Sequence, residues 1–101
     1  MLYLLPARGD GRLLRLRLYV DTGDGIPRVR TRTMILGNLS FHAMSGRLTV
    51  LDKWRGLGDC GVYSVFRLRG GAFAPVEARA KTACNGKPPY DPTRWRRLPL
   101  P

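Results

Sequence analysis

No run of eighteen or more apolar residues occurs in the 101-residue sequence, which excludes a membrane-spanning helix. Histidine occurs once and cysteine twice, with no Cys-x-x-Cys, so the four ligands of a structural zinc site are missing. Acidic residues are scarce, seven against eighteen basic ones, and the net charge is +11. Lysine is scarcer still: only Lys53, Lys81 and Lys87 are lysines, and every other basic residue is arginine. The start, Met1-Leu-Tyr-Leu-Leu-Pro-Ala-Arg8, lacks a basic n-region, and its apolar run is too short for a signal-peptide core. It therefore reads as a cytosolic chain or as a start that is not the natural one. What is present suits one compact domain: a chain of this length buries roughly two thirds of its unfolded surface, enough for one core.

Arginine grips phosphate and carboxylate with a planar fork, so the basic excess is consistent with a face for a polyanion. It is equally consistent with a GC-rich coding sequence, since Ala, Gly and Pro are abundant as well. The charge is scattered rather than run together. Arg15, Arg17, Arg28, Arg30, Arg32, Arg67 and Arg69 fall on alternating positions of separate segments and are the candidate anion-binding residues.

Alternation of apolar and polar residues recurs, while helical periodicity is nowhere sustained over three turns; the sequence predicts a mainly β fold. From Arg12 to Val20, Leu14, Leu16, Leu18 and Val20 oppose Arg15, Arg17 and Tyr19. After a loop over 21–27, Arg28 to Leu36 alternates again, with apolar members on both faces. Leu39 to Ala43 and Arg47 to Leu51 flank Met44-Ser-Gly46, and Val62 to Arg69 and Ala72 to Ala80 flank Gly70-Gly71; both pairs predict hairpins. In the second hairpin Val62, Ser64, Phe66 and Leu68 are expected inward, together with Ala72, Ala74, Val76, Ala78 and Ala80. Pro75 then needs an edge position or an N–H site facing away from a partner strand. Asp91-Pro92 opens one helical turn through Arg97. The fold expected is thus an antiparallel sheet, or a small sandwich or barrel of hairpins, with one short C-terminal helical turn.

Cys60 and Cys84 read as a disulfide in an oxidising compartment and as two thiols in a reducing one. As a nucleophile, Cys60 would need His42 as base and Asp59 or Asp52 as orienter. Trp54, Tyr90 and Trp95 with Arg55, Arg94 and Arg96 could line a groove for single-stranded nucleic acid or sugar; alternatively Trp95 packs over the sheet. No cofactor is implied. Gly56-Leu-Gly-Asp-Cys-Gly61 spells Gly-x-Gly-x-x-Gly, but a strand rather than a helix follows it.

The most specific stretch is Lys53-Trp-Arg-Gly-Leu-Gly-Asp-Cys-Gly61. Lys53, Arg55, Gly56, Gly58, Asp59, Cys60 and Gly61 match a Lys-x-Arg-Gly-x-Gly-Asp-Cys-Gly motif. An apolar strand, Gly70-Gly71, Phe73, Cys84 and Trp95-Arg96 follow in order, and Ser45 to Thr49 precede it. From about Asn38 to Arg97 the chain resembles the C-terminal half of the bacterial envelope family known as domain of unknown function 1176. The resemblance implies an exported, periplasmic protein, a mostly antiparallel β fold and a Cys60–Cys84 disulfide. It makes residues 1–101 a single β domain forming the C-terminal part of a longer architecture. It implies no reaction. The function expected is a binding module for an envelope protein or anionic polymer, ahead of a small nucleic-acid-binding protein and, third, a Cys-dependent enzyme.

Overall fold

The alternating segments fold as antiparallel strands in the computed structural model, which describes residues 2–4, 15–21, 23–32, 34–36, 38–54 and 59–101. The strands are β1 (Leu2–Leu4), β2 (Leu16–Asp21), β3 (Pro27–Arg32), β4 (Met34–Leu36), β5 (Asn38–His42), β6 (Arg47–Lys53), β7 (Gly61–Arg69), β8 (Ala72–Lys81) and β9 (Arg96–Arg97). β1 pairs with β4 and β2 with β3, while the last five form one sheet in the order β5-β6-β7-β8-β9. Every pairing among the described residues is antiparallel. No helix among them is long and apolar enough to cross a membrane.

Both glycine-containing turns form as their sequences require. Gly70 and Gly71 take φ of 56° and 78°, the double positive φ of a tight hairpin turn, and Gly46 takes 66°. Cross-strand partners share a face, so the ladder registers sort the side chains. Leu48 opposite Phe66 and Val50 opposite Ser64 define the inner face of the large sheet. β2 lies across that face against β7 and β8. Leu16, Leu18, Leu48, Val50 and Phe66 make the core, with Val20, Leu39 and Phe73 packed around it. The result is a small sandwich in which a two-stranded ribbon covers part of a five-stranded sheet.

Several expectations need correction or fall outside the description. The segment from Arg28 to Leu36 is two strands: β3 pairs β2 as far as Arg32 opposite Leu16, where β2 ends, and Met34–Leu36 pairs β1 instead. Leu68 is 39% exposed rather than inward. It sits beyond the last β6 pairing, Arg47 with Arg67, near the hairpin tip, where no third strand supports it. Val76 is 45% exposed because a β-bulge falls on it: Val65 faces Glu77 and Phe66 faces Pro75, leaving Val76 as the extra residue. The bulge rephases β8. Ala78 and Ala80 stay buried as expected, but Ala74 turns to the outer face beside Arg67 and Phe73 packs on the core. The helical turn is shorter than expected, a 3-10 turn over Pro92–Arg94, with the Asp91 carboxylate accepting from the Thr93 N–H at 3.0 Å. Arg96–Arg97 instead pairs with Ala80 and Arg79, filling part of the free edge of β8. Pro75 lies where that edge has no β9 partner, as a strand proline must. Arg12 and Leu14 lie outside the described residues.

Candidate functional site

Arg55, Gly56 and Gly58 of the motif lie outside the described residues; its two ends are fixed. At one end the Trp54 N–H donates to the Cys60 carbonyl at 3.0 Å, closing the loop at the end of the β6–β7 ladder. At the other, Cys60 is bonded to Cys84, with Cα atoms 5.1 Å apart. Asp59 does more than brace its own turn. Its Oδ2 accepts from the Gly86 N–H at 2.5 Å and from Lys81 Nζ at 3.3 Å, so it holds the segment after Cys84 against β8. The Gly86 N–H, and then Lys81, keep its carboxyl below the ordinary aspartate range despite burial. Lys81 also donates to the Lys87 carbonyl, and the Tyr90 ring lies 5.9 Å from its ammonium. Disulfide, carboxylate and lysine thus tie down 82–91, a stretch without strands.

Replacing Cys60 and Cys84 together by alanine is expected to lower stability by about 3 kcal/mol, from the loop-closure entropy of a bridge spanning 24 residues. Urea denaturation of both proteins checks this. A loss below about 1 kcal/mol would mean that the Asp59 contacts hold the segment unaided.

The Cys60 nucleophile is not assembled. Its sulfur is in the disulfide, and His42 lies opposite Arg47 at the far end of β6 from Lys53, which faces Gly61 beside Cys60. Six residue steps of strand put roughly 20 Å between those ends. His42 instead closes its hairpin turn, with Nδ1 3.1 Å from the Ser45 hydroxyl. The aromatic groove is not assembled either. Trp95 is 1% exposed, and its indole N–H donates to the Pro89 carbonyl at 3.0 Å, whereas Tyr90 is exposed and its hydroxyl donates to the Gly86 carbonyl.

The arginines divide among three surfaces. On the ribbon, Arg28, Arg30 and Arg32 share one face, opposite Val20, Leu18 and Leu16, and Arg17 projects from the other beside Thr31. Arg15 is exposed just before β2. Arg28 pairs with Asp24 at 2.5 Å, and the Arg30 and Arg32 guanidiniums donate to the Val29 and Thr31 carbonyls. Arg67 and Arg69 project from the outer face of the large sheet, away from the core.

That outer face carries further charge in cross-strand rows. His42, Arg47 and Arg67 form one cross-strand row on β5, β6 and β7, all exposed, with Ala74 beyond them on β8. Lys53 and Lys81 flank Gly61 in another row, and Arg79 faces Arg97. Glu77 is set among them, paired with Arg79 at 2.5 Å and Arg97 at 3.3 Å. Arg79, and then Arg97, hold its carboxyl below the usual glutamate range. Lys81 is taken by Asp59. Neither Arg47 nor Arg67 has an acidic partner among the described residues. Like charges directly opposite in an antiparallel pair are destabilising, so this corner of the sheet carries unrelieved positive charge. Arg47 escaped the sequence reading because it starts a strand beside a turn; only the register with Arg67 reveals it.

A 35% identity over 86 residues links this chain to an uncharacterised protein of Escherichia coli (strain K12), YpfG, covering 83% of the chain and 23% of YpfG. The chain thus spans about a quarter of the length of that relative. No solved structure matches it. The family described as "Protein of unknown function (DUF1176)" matches residues 12–97, reaching well before Asn38, where the resemblance of the motifs begins, and taking in the ribbon strands β2 and β3. The match extends over most of the chain, and the chain belongs to the DUF1176 family.

Proposed function

We propose that this domain is an exported, periplasmic binding module that takes an anionic polymer or an acidic partner protein on the outer face of its five-stranded sheet. The observation that carries the reading is the facing pair Arg47 and Arg67, with His42 beside them and no acid to neutralise them among the described residues. A partner supplying phosphate, sulfate or carboxylate groups relieves that repulsion and accepts the planar guanidinium forks. The sheet supplies rigidity: its middle strand is buried on both sides at Val65 and Phe66, so the arginines project from a fixed base. Export fits a domain whose irregular C-terminal segment is held by a disulfide, since such bonds persist in oxidising compartments. A nucleic acid would be bound mainly through phosphates, because Trp95 is buried and, among the described residues, no row of exposed aromatics shares the outer face with Arg47 and Arg67.

Dextran sulfate titrated against the oxidised protein at several salt concentrations tests the face. Arg47→Ala with Arg67→Ala is expected to weaken binding about thirtyfold, at about 1 kcal/mol for each exposed contact, and to flatten the salt dependence. Unchanged affinity in that double variant, with loss on replacing Arg30 and Arg32, would move the site to the ribbon. Fractionation of the native host tests export: the protein is expected in the osmotic-shock fraction, and recovery with the cytoplasm would overturn that part of the reading.

A further inference from the structure

β5 ends the five-stranded sheet, paired with β6 on one side and, among the described residues, with no strand on the other. We infer that this edge takes up an extended segment of a partner protein as an added antiparallel strand, with acidic side chains on the outer face alternating with apolar ones on the inner face. The inference rests on the anionic-partner face proposed above and names the class of partner that binds there.

The reasoning starts from how this chain treats its strand edges. An open edge presents unpaired N–H and C=O groups to any passing chain, and proteins blunt it with charge, proline or a short strand. Here β2 carries Arg17, β3 carries Arg28, Arg30 and Arg32, and β1 and β4 run for three residues each. At the other side of the large sheet β9 is two arginines long, and the stretch of β8 beyond it holds Pro75. β5 has none of these devices: from Asn38 to His42 it contains no lysine, arginine, acidic residue or proline. The groups it leaves open follow from the ladder. The Leu68 N–H donates to the Gly46 carbonyl at 2.7 Å, so Gly46 and Leu68 are a hydrogen-bonded pair. Bonded and non-bonded pairs alternate in an antiparallel ladder, so Leu48 and Val50 turn to β7 while Arg47, Thr49 and Leu51 turn to β5. Their partners His42, Ser40 and Asn38 bond β6, which leaves the N–H and C=O groups of Leu39 and Phe41 pointing outward.

The side chains at that edge say what sequence fits. On the inner face the row Phe66, Leu48, Phe41 runs from a buried centre to a phenylalanine that is 48% exposed, with its ring edge-on to Phe73 at 6.0 Å. An apolar residue on an added strand would extend this row and cover the Phe41 ring. On the outer face the row Arg67, Arg47, His42 ends at the same edge without an acid. A glutamate opposite His42 would stand two strand spacings from Arg47, about 10 Å, a gap that the two long side chains span together. Main-chain hydrogen bonds to Leu39 and Phe41 supply attachment, and the two rows supply selectivity, as in other cases of strand addition. A second copy of the chain suits the edge less well. Antiparallel pairing of two β5 strands keeps their outer faces on one side, so it would add a second basic row to the first and bring together two chains of net charge +11.

The test is a titration of the oxidised chain with an acetylated, amidated hexapeptide of alternating glutamate and valine, read by amide hydrogen exchange and chemical shifts. Exchange at the Leu39 and Phe41 amides is expected to slow about tenfold or more on binding, while the Ser40 amide, bonded to β6 in either state, changes little. A peptide of the same composition in two blocks, glutamates then valines, should bind about tenfold more weakly. In an antiparallel pair the valines sit opposite Leu39 and Phe41 and exchange hydrogen bonds with them. N-methylating the valines should therefore abolish binding, and N-methylating the glutamates should not. Phe41→Lys should lose the peptide and keep dextran sulfate, whereas Arg47→Ala with Arg67→Ala should weaken both. The inference is overturned if the alternating peptide binds no better than the block peptide or if valine methylation leaves binding intact. It is overturned equally if the Leu39 and Phe41 amides become protected as the protein alone is concentrated, since a second copy then occupies the edge. Dextran sulfate separates the two readings: if it binds and the alternating peptide does not, strand addition alone falls, and if neither binds, the anionic-partner face falls with it.

Discussion

Phe66→Ala is expected to lower stability by about 4 kcal/mol, within the range for emptying a fully buried aromatic site. Phe66 is 1% exposed and lies where the two layers meet, among Leu16 and Leu18 of the ribbon and Leu48 and Val50 of β6. The layers are held by side chains rather than by a shared ladder, since β2 makes no strand pairing with the large sheet. A cavity at Phe66 therefore strips contacts from both, and no strand ladder joins the ribbon to that sheet to compensate. Domains of this size hold roughly 5–15 kcal/mol in total, so such a loss is a large fraction of stability. Urea denaturation should show a lower midpoint with an unchanged slope if the ribbon stays docked in the native state. A loss under about 1 kcal/mol would mean that the ribbon does not rest on Phe66. Leu68→Ala, two residues along the same strand and the same face, is the contrast: with its side chain at the hairpin tip, it should cost less than about 1 kcal/mol.

Those two residues also show how far the sequence could be read. Alternation from Val62 to Leu68 gives the face correctly, because period two is a property of any strand. It carries no information about where the covering layer stops, and Leu68, one residue past the last β6 pairing of Arg47 with Arg67, is exposed. Val76 failed for a different reason. Its segment alternates without interruption, and nothing in the residues from Ala72 to Ala80 announces an extra position; the bulge shows only in the pairing with β7, whose register shifts between Val65 and Phe66. The turns were legible because positive φ narrows the choice of residue so strongly. The disulfide was open on the residues alone and came with the family motif. Asp59 and Arg47 were hidden because their roles depend on partners far away in sequence: Gly86 is 27 positions from Asp59, and Arg67 faces Arg47 only through strand register.

Gly61→Ala is expected to cost about 4 kcal/mol, the sum of a strained backbone at roughly 1–3 kcal/mol and forced separation of packed main chains at a similar magnitude. Gly61 begins β7 with φ of 147°, a conformation that L-residues rarely adopt, and pairs with Lys53 on one side and Lys81 on the other. A Cβ built there lies 2.0 Å from the Asp52 carbonyl oxygen and 3.1 Å from the Lys53 Cα. Both obstacles are backbone, so no side-chain rotation relieves them. The chain has two ways out, and each damages the motif. Parting β6 from β7 breaks the Trp54–Cys60 hydrogen bond that closes the loop. Returning Gly61 to negative φ swings Cys60, one residue earlier, away from Cys84. The final glycine of the motif is thus a consequence of bringing a disulfide-bearing loop back into a ladder at close quarters. Denaturation of the variant measures the cost, and wild-type stability would refute the clash. A double-mutant cycle with the paired Cys60 and Cys84 alanine substitutions assigns the route. If the strain escapes through Cys60, Gly61→Ala should cost less once the disulfide is gone. If it escapes by parting β6 from β7, the two losses should add.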